Sequence, residues 1–193
     1  YNPLVGGPCG VYADYGIQEK TIRAADAHDV LFEPLIQTLE DADRIGTPKV
    51  WCDRVETVRR HNLLCEIFDG IIPIQTRGFV HQWHTPWDQA VHWYGVEQLL
   101  MDLYDKPEVV ARVVKRVCDA TAEVLDRQQA LGMLDVGSGN WGVGSGGMGY
   151  TTQLPVKPPA QLQPPATPRD QWGCGNAQIF SEVSPDMHEE FSL

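Results

Sequence analysis

Apolar and polar positions recur along this chain in two rhythms, and the rhythm predicts where helices and strands fall. Spacings of three and four run from Thr47 to Phe68, where Trp51, Val55, Val58, Asn62, Cys65 and Phe68 share one helical face. Thr47-Pro48 supplies the N-cap and first-position proline of that helix, and Asp69-Gly70 its stop. The compact run Ile71 to Thr76, rich in β-branched residues, then predicts a short strand. Helical spacing returns from Trp87 to Tyr104. A further helix follows Asp105-Lys106-Pro107-Glu108, a capping box with Asp105 as cap. Its stripe is Val110, Val113, Val114, Val117, Thr121, Val124 and Leu125, and Gly132 sits where a C-terminal glycine cap belongs. Met133 to Val136 is too short for anything but a strand.

The two ends read differently. Tyr1 to Lys20 mixes glycine, proline and aromatics and predicts extended or hairpin structure, with VYADYGI alternating around Asp14. Asp26 caps a predicted short helix from Ala27 to about Phe32. Gly137 to Gly149 is glycine-rich and Pro155 to Pro168 proline-rich, so residues 137–175 are read as one long rim loop. Near the C-terminus a strand-capable run (Ala177, Ile179, Phe180) stops at Ser181-Glu182. Ser184-Pro185 then opens a helix, with Asp186, Glu189 and Glu190 in its early turns. A strand feeding a capped helix is one βα joint, the kind of joint that carries active sites in α/β barrels.

Three segments resemble the uroporphyrinogen decarboxylase superfamily. Asp88 to Gly132, DQAVHWYGVEQLLMDLYDKPEVVARVVKRVCDATAEVLDRQQALG, matches an aromatic-rich helix, an "lldLyd-kPe" corner and a long helix ending in glycine. Met133 to Val136 matches a strand pointing into the pocket, and FSEVSPDMHEEF the family's Ser-Pro helix start. EIFDGIIPIQTRG, Glu66 to Gly78, fits the preceding barrel unit more loosely. The resemblance implies an α/β fold: a partial (β/α)8 TIM barrel with a long glycine/proline-rich loop insertion, one domain over residues 1–193. A full barrel needs about 250 residues, so the chain is expected to be a piece of a larger protein. Its isolated form is then expected to be marginally stable, self-associating and inactive, with part of the Val110–Leu125 stripe exposed.

Two chemistries are implied by the family. One decarboxylates the acetate arms of uroporphyrinogen without a cofactor. The other transfers methyl groups to or from corrinoid proteins or thiols, with zinc held by His and Cys. Neither the arginine-rich opening of the first nor the late ligand segment of the second is present here, so no family aspartate or zinc ligand carries over. The long insertion tilts the expectation toward methyl transfer between a small methylated substrate and a corrinoid carrier. Decarboxylation and non-catalytic ligand binding remain alternatives.

Composition narrows the partners. Twenty-six acidic against 15 basic residues give a net charge of −11, which argues against nucleic acid and against anionic membrane surfaces. No apolar run approaches the ~20 residues of a membrane span. Five widely spread cysteines, with no CxxC pair, read as reduced and mostly buried thiols, and with them a cytoplasmic setting.

Candidate chemistry clusters after the predicted strands. Arg77, beyond the strand ending at Thr76, can pair a substrate carboxylate or make a structural salt bridge. His81 and His84 form H-x-x-H, with His84 a candidate catalytic group; no third ligand is evident, so no metal site is assigned. Gly137-Ser138-Gly139-Asn140-Trp141-Gly142 matches G-x-G-x-x-G, but the glycines that follow cannot sustain the helix a dinucleotide needs. Asn140 and Trp141 instead offer an amide and an aromatic platform to a flat substrate, or anchor the loop. Gln178, Ser181 and Glu182 precede the last helix, with Ser181 and Glu182 as acid, base or hydrogen-bonding groups and Gln178 at the substrate. Cys174 lacks an evident paired base for nucleophilic chemistry.

Overall fold

A computed structural model describes residues 9–11, 14–22, 31–137, 139–142, 147–150, 153–154 and 166–192. The chain divides into two compact units, each assembled from three segments. Unit 1 comprises residues 1–13, 49–83 and 124–174; unit 2 comprises residues 14–48, 84–123 and 175–193.

Unit 2 is built on helices. α1 (Leu39–Asp43) is capped by Thr38, whose side chain accepts from the Asp41 amide. α3 (Pro86–Tyr94) and α4 (Val96–Asp105) replace the single helix expected over Trp87 to Tyr104. Gly95, at φ 73°, makes the break, a conformation that L side chains rarely adopt. α5 (Pro107–Ala130), which belongs to this unit as far as Glu123, begins directly behind α4, so Asp105 ends one helix and Lys106 stands at the junction in place of the expected Asp105 cap. α6 (Pro185–Ser192) starts as expected: Ser184 Oγ accepts from the Met187 amide at 3.3 Å.

These helices enclose one core. Trp87, Ala90, Trp93 and Tyr94 of α3 meet Leu99 and Leu103 of α4, and Val110, Val113 and Val117 of α5. The valine stripe expected to be partly exposed is therefore corrected in its first half: those three valines are buried against α3 and α4. Each such burial contributes about 1.5–3 kcal/mol. β2 (Thr21–Ile22) and β3 (Leu31–Phe32) pair antiparallel, so the end of the helix expected to reach Phe32 is a strand; residues 23–30 lie outside the described ones. The apolar run at Ala177 to Phe180, expected as a strand, is instead a 3₁₀ turn (Gln178–Glu182) whose Phe180 packs edge-on against Trp87 at 4.4 Å.

Unit 1 holds most of the strand segments. β1 (Cys9–Val11) pairs antiparallel with β4 (Val50–Cys52), in register Cys9 with Cys52 and Val11 with Val50. The helix expected from Thr47 consequently starts later, as α2 (Arg54–Ile67), with the Asp53 side chain accepting from the Glu56 amide at 2.9 Å. None of its residues is buried; Val55 is 83% exposed, so the expected buried face is absent. The run Ile71 to Thr76 is also not a strand. Ile71 and Ile72 turn back to the Phe68 carbonyl, Pro73 cannot donate to a ladder, and both isoleucines are exposed.

Extended pairing begins a few residues later. Phe79 bridges Leu134 in the parallel sense, its N–H donating to Met133 and its carbonyl accepting from Asp135, both at 2.7 Å. This single bridge is what the expected strand Met133 to Val136 contributes. β5 (His81–His84) continues from Phe79 and pairs with β8 (Trp172–Gly175). Gly173 lies against the Gln82 carbonyl and Gly175 against that of His84, so the two strands ascend together. A Cβ on Gly78 would overlap the Met133 carbonyl and one on Gly137 that of Val80, so glycine is required for this close approach. Leu134, Val136, Ala166 and Phe79 form the small core beside it. Within the expected rim loop, β6 (Gly139–Gly142) and β7 (Met148–Gly149) make a hairpin; most of the proline-rich stretch lies outside the described residues. The described strands form four two-stranded sheets and close no barrel among themselves.

The end of α5 follows its sequence signal closely. Gly132 is at φ 62°, its amide donates to Gln129 and the Met133 amide to Gln128, the paired bonds of a Schellman cap. No helix of the described residues is long and apolar enough to cross a membrane.

Candidate functional sites

The seven residues expected to form one site divide between the two units. Arg77, Asn140 and Trp141 belong to unit 1; His84, Gln178, Ser181 and Glu182 belong to unit 2.

In unit 1 a cleft of about 500 Å³ is lined by Arg54, Arg60, His61, Arg77, Asp135 and the Cys9–Cys52 pair, among others. Arg77 sits 2.7 Å from the Asp135 carboxylate and also donates to the Val136 carbonyl at 3.2 Å. Asp135 accepts from the Gly78 amide as well, at 3.3 Å. The guanidinium thus makes the structural salt bridge that was one of its two expected roles. Its position along the strand differs from expectation. With Ile71 to Thr76 in a turn and pairing starting at Phe79, Arg77 precedes its strand. In a parallel α/β arrangement that is the end opposite the usual catalytic rim.

Gln171 ties the extended runs together. It is buried, and its Nε2 donates to the Asp135 carbonyl at 2.7 Å and to the Phe79 carbonyl. Its Oε1 accepts from Gln82 at 3.0 Å. His81 Nε2 lies 3.7 Å from Cys174 Sγ, so the base that the sequence did not reveal for this thiol is present in the fold. Asn140 and Trp141 lie on β6, at the start of the hairpin.

His84 ends β5, where a catalytic rim group is expected, and its Nε2 is 3.6 Å from Cys118 Sγ. Burial lowers the imidazole's pKa below its usual value, while burial and then Asp119 push the Cys118 thiol up. The pair therefore favours neutral imidazole beside protonated thiol, which makes His84 a proton acceptor and Cys118 a poor nucleophile. Gln178 and Ser181 share the 3₁₀ turn and line an open groove of about 800 Å³ with Phe180, Pro185, His188 and Glu189. Glu182 closes that turn. Among the described residues no three His, Cys, Asp or Glu side chains gather to hold a metal ion. The zinc of the methyltransferase branch therefore has no fitting ligand set among them.

Sequence reasoning missed Asp135, His61 and the cysteine pair. Asp135 is the one charge in an otherwise apolar run, a signal that was available. Cys9 and Cys52 form a disulfide, correcting the expectation of reduced thiols, and Cys65 is exposed rather than buried. Forty-three residues separate the pair, and only the β1–β4 register brings them together.

Comparison with protein-family models, with curated proteins and with solved structures returns no match to this chain.

Proposed function

We propose that the chain belongs to a uroporphyrinogen decarboxylase-superfamily enzyme of partial-barrel architecture. Its reaction is methyl transfer between a small methylated substrate and a corrinoid carrier protein. The observation that carries the reading is the parallel step from Phe79 to Leu134 across α3, α4 and α5, the connection a (β/α) unit requires. His84 at the end of β5, and Gln178, Ser181 and Glu182 after β8, follow strand ends as site residues of such a fold do. His84 accepts a proton, Ser181 and Gln178 hydrogen-bond substrate, and Glu182 acts as acid or base. Zinc, where that branch uses it, supplies thiol activation; no step is assigned to it through these residues.

A second reading, decarboxylation of uroporphyrinogen, is favoured by Arg54 and Arg60 beside one cleft, since guanidinium groups suit carboxylate arms. The purified chain is incubated with methylcobalamin and a thiol, and separately with uroporphyrinogen. Thiol-dependent demethylation of the corrinoid, read from its spectrum, supports the first reading. Release of CO2 from uroporphyrinogen transfers the assignment to the second. A folded protein that does neither gives support to neither catalytic reading.

A further inference from the structure

The Cys9–Cys52 disulfide lies on the wall of the unit 1 cleft rather than in a core. Both cysteines are half-buried and both line the cleft, which has room for a small thiol. Neither belongs to the buried clusters of the described residues. β1 itself is held by three rungs with β4 and by the approach of Cys9 Sγ to Thr57 Oγ1 at 3.6 Å. A two-stranded ribbon of that length does not persist in water on its own.

Chain topology gives the crosslink a mechanical role. The chain leaves unit 1 after residue 13 and returns at residue 49. Cys9 and Cys52 therefore bracket the whole excursion, and the disulfide closes its neck. Cutting it leaves β1 held to β4 by its three rungs alone and frees Cys9, the residue of β1 that lines the cleft. The Phe79–Leu134 core, which does not include the cysteines, is left in place.

We propose that Cys9 and Cys52 form a reversible thiol–disulfide switch that opens and closes the unit 1 cleft. The reductant is a dithiol. One of its thiolates attacks a sulfur of the pair, forming a mixed disulfide and releasing the other cysteine as a thiolate that takes up a proton. The second thiol of the reductant then attacks its partner sulfur, freeing the remaining cysteine and leaving the reductant as a disulfide. Two electrons and two protons pass to the protein.

The test uses the full chain, first oxidised with glutathione disulfide, then treated with graded dithiothreitol in native buffer. Alkylation and intact mass count the thiols. Cys65, Cys118 and Cys174 react before reduction, and Cys9 and Cys52 join them afterwards. Hydrogen exchange at Gly10 and Trp51 is expected to rise at least roughly tenfold on reduction and to return on reoxidation, while α5 keeps its protection. The double variant Cys9→Ser/Cys52→Ser should show the fast exchange under both conditions. Three results overturn the proposal: no disulfide forms on oxidation, reduction needs denaturant, or reduction abolishes α5 protection. The last two mark a structural staple.

Discussion

Replacing Tyr94 with Phe tests how the helical core of unit 2 accommodates the buried Asp102 side chain. Tyr94 is fully buried, and its hydroxyl donates to Asp102 Oδ2 at 2.7 Å. Asp102 is itself 1% exposed; its other oxygen accepts from Gln98 Nε2 at 2.7 Å, and Lys106 Nζ stands 3.5 Å away. Tyr94→Phe keeps the ring and opens a space of one oxygen, so the packing change is small. What is lost is a hydrogen bond to a buried carboxylate, which contributes about 1.5–3 kcal/mol. We expect a loss of about 2 kcal/mol, and for a chain of 193 residues a fall in Tm of about 4–8 °C.

The same bond sets an alkaline signature. Burial first, then the hydrogen bond to Asp102 and its charge, raise the Tyr94 pKa above the ordinary phenol value. A folded pKa above the unfolded one gives stability that is complete below about pH 10 and is lost as pH rises through the folded value. The wild type should therefore weaken above pH 10 more steeply than the Phe variant. Urea unfolding followed by the fluorescence of Trp87 and Trp93, which share this core, measures both effects. A variant within about 0.5 kcal/mol of wild type, with the same alkaline limb, would refute the reasoning.

Two further outcomes follow from the same packing. Gly137→Ala must push a methyl into the Val80 carbonyl, a backbone atom, and should cost about 1–3 kcal/mol in urea unfolding; Gly142→Ala, with open space around its Cβ, should be neutral. His84 has its pKa lowered by burial, so the stability it gives is present above pH ~6.5 and lost as pH falls through the folded value. His84→Gln should flatten the melting curve's decline on that acid limb, and an unchanged decline would remove His84 as its source.

Local patterns settled the elements whose signals are short-range. The glycine stop of α5 at Gly132 and the Ser184-Pro185 start of α6 are read directly from sequence, because each cap needs only residues within one turn. The valine stripe of α5 was legible as a core face, although not what covers it. Tertiary contacts decided the rest. Whether Ile71 to Thr76 pairs depended on a partner strand, and the Phe68 carbonyl turned that run back before Phe79 met Leu134. Val50 to Cys52 reads as the first turn of a helix until β1 offers a ladder. The cysteine pair, the Arg77–Asp135 contact and the His81–Cys174 approach join residues 43, 58 and 93 positions apart. Periodicity records which face of an element is apolar, but not which distant segment will meet it. Such pairings are fixed by long-range packing, so the candidate residues were named from sequence and their division between two units came only from the fold.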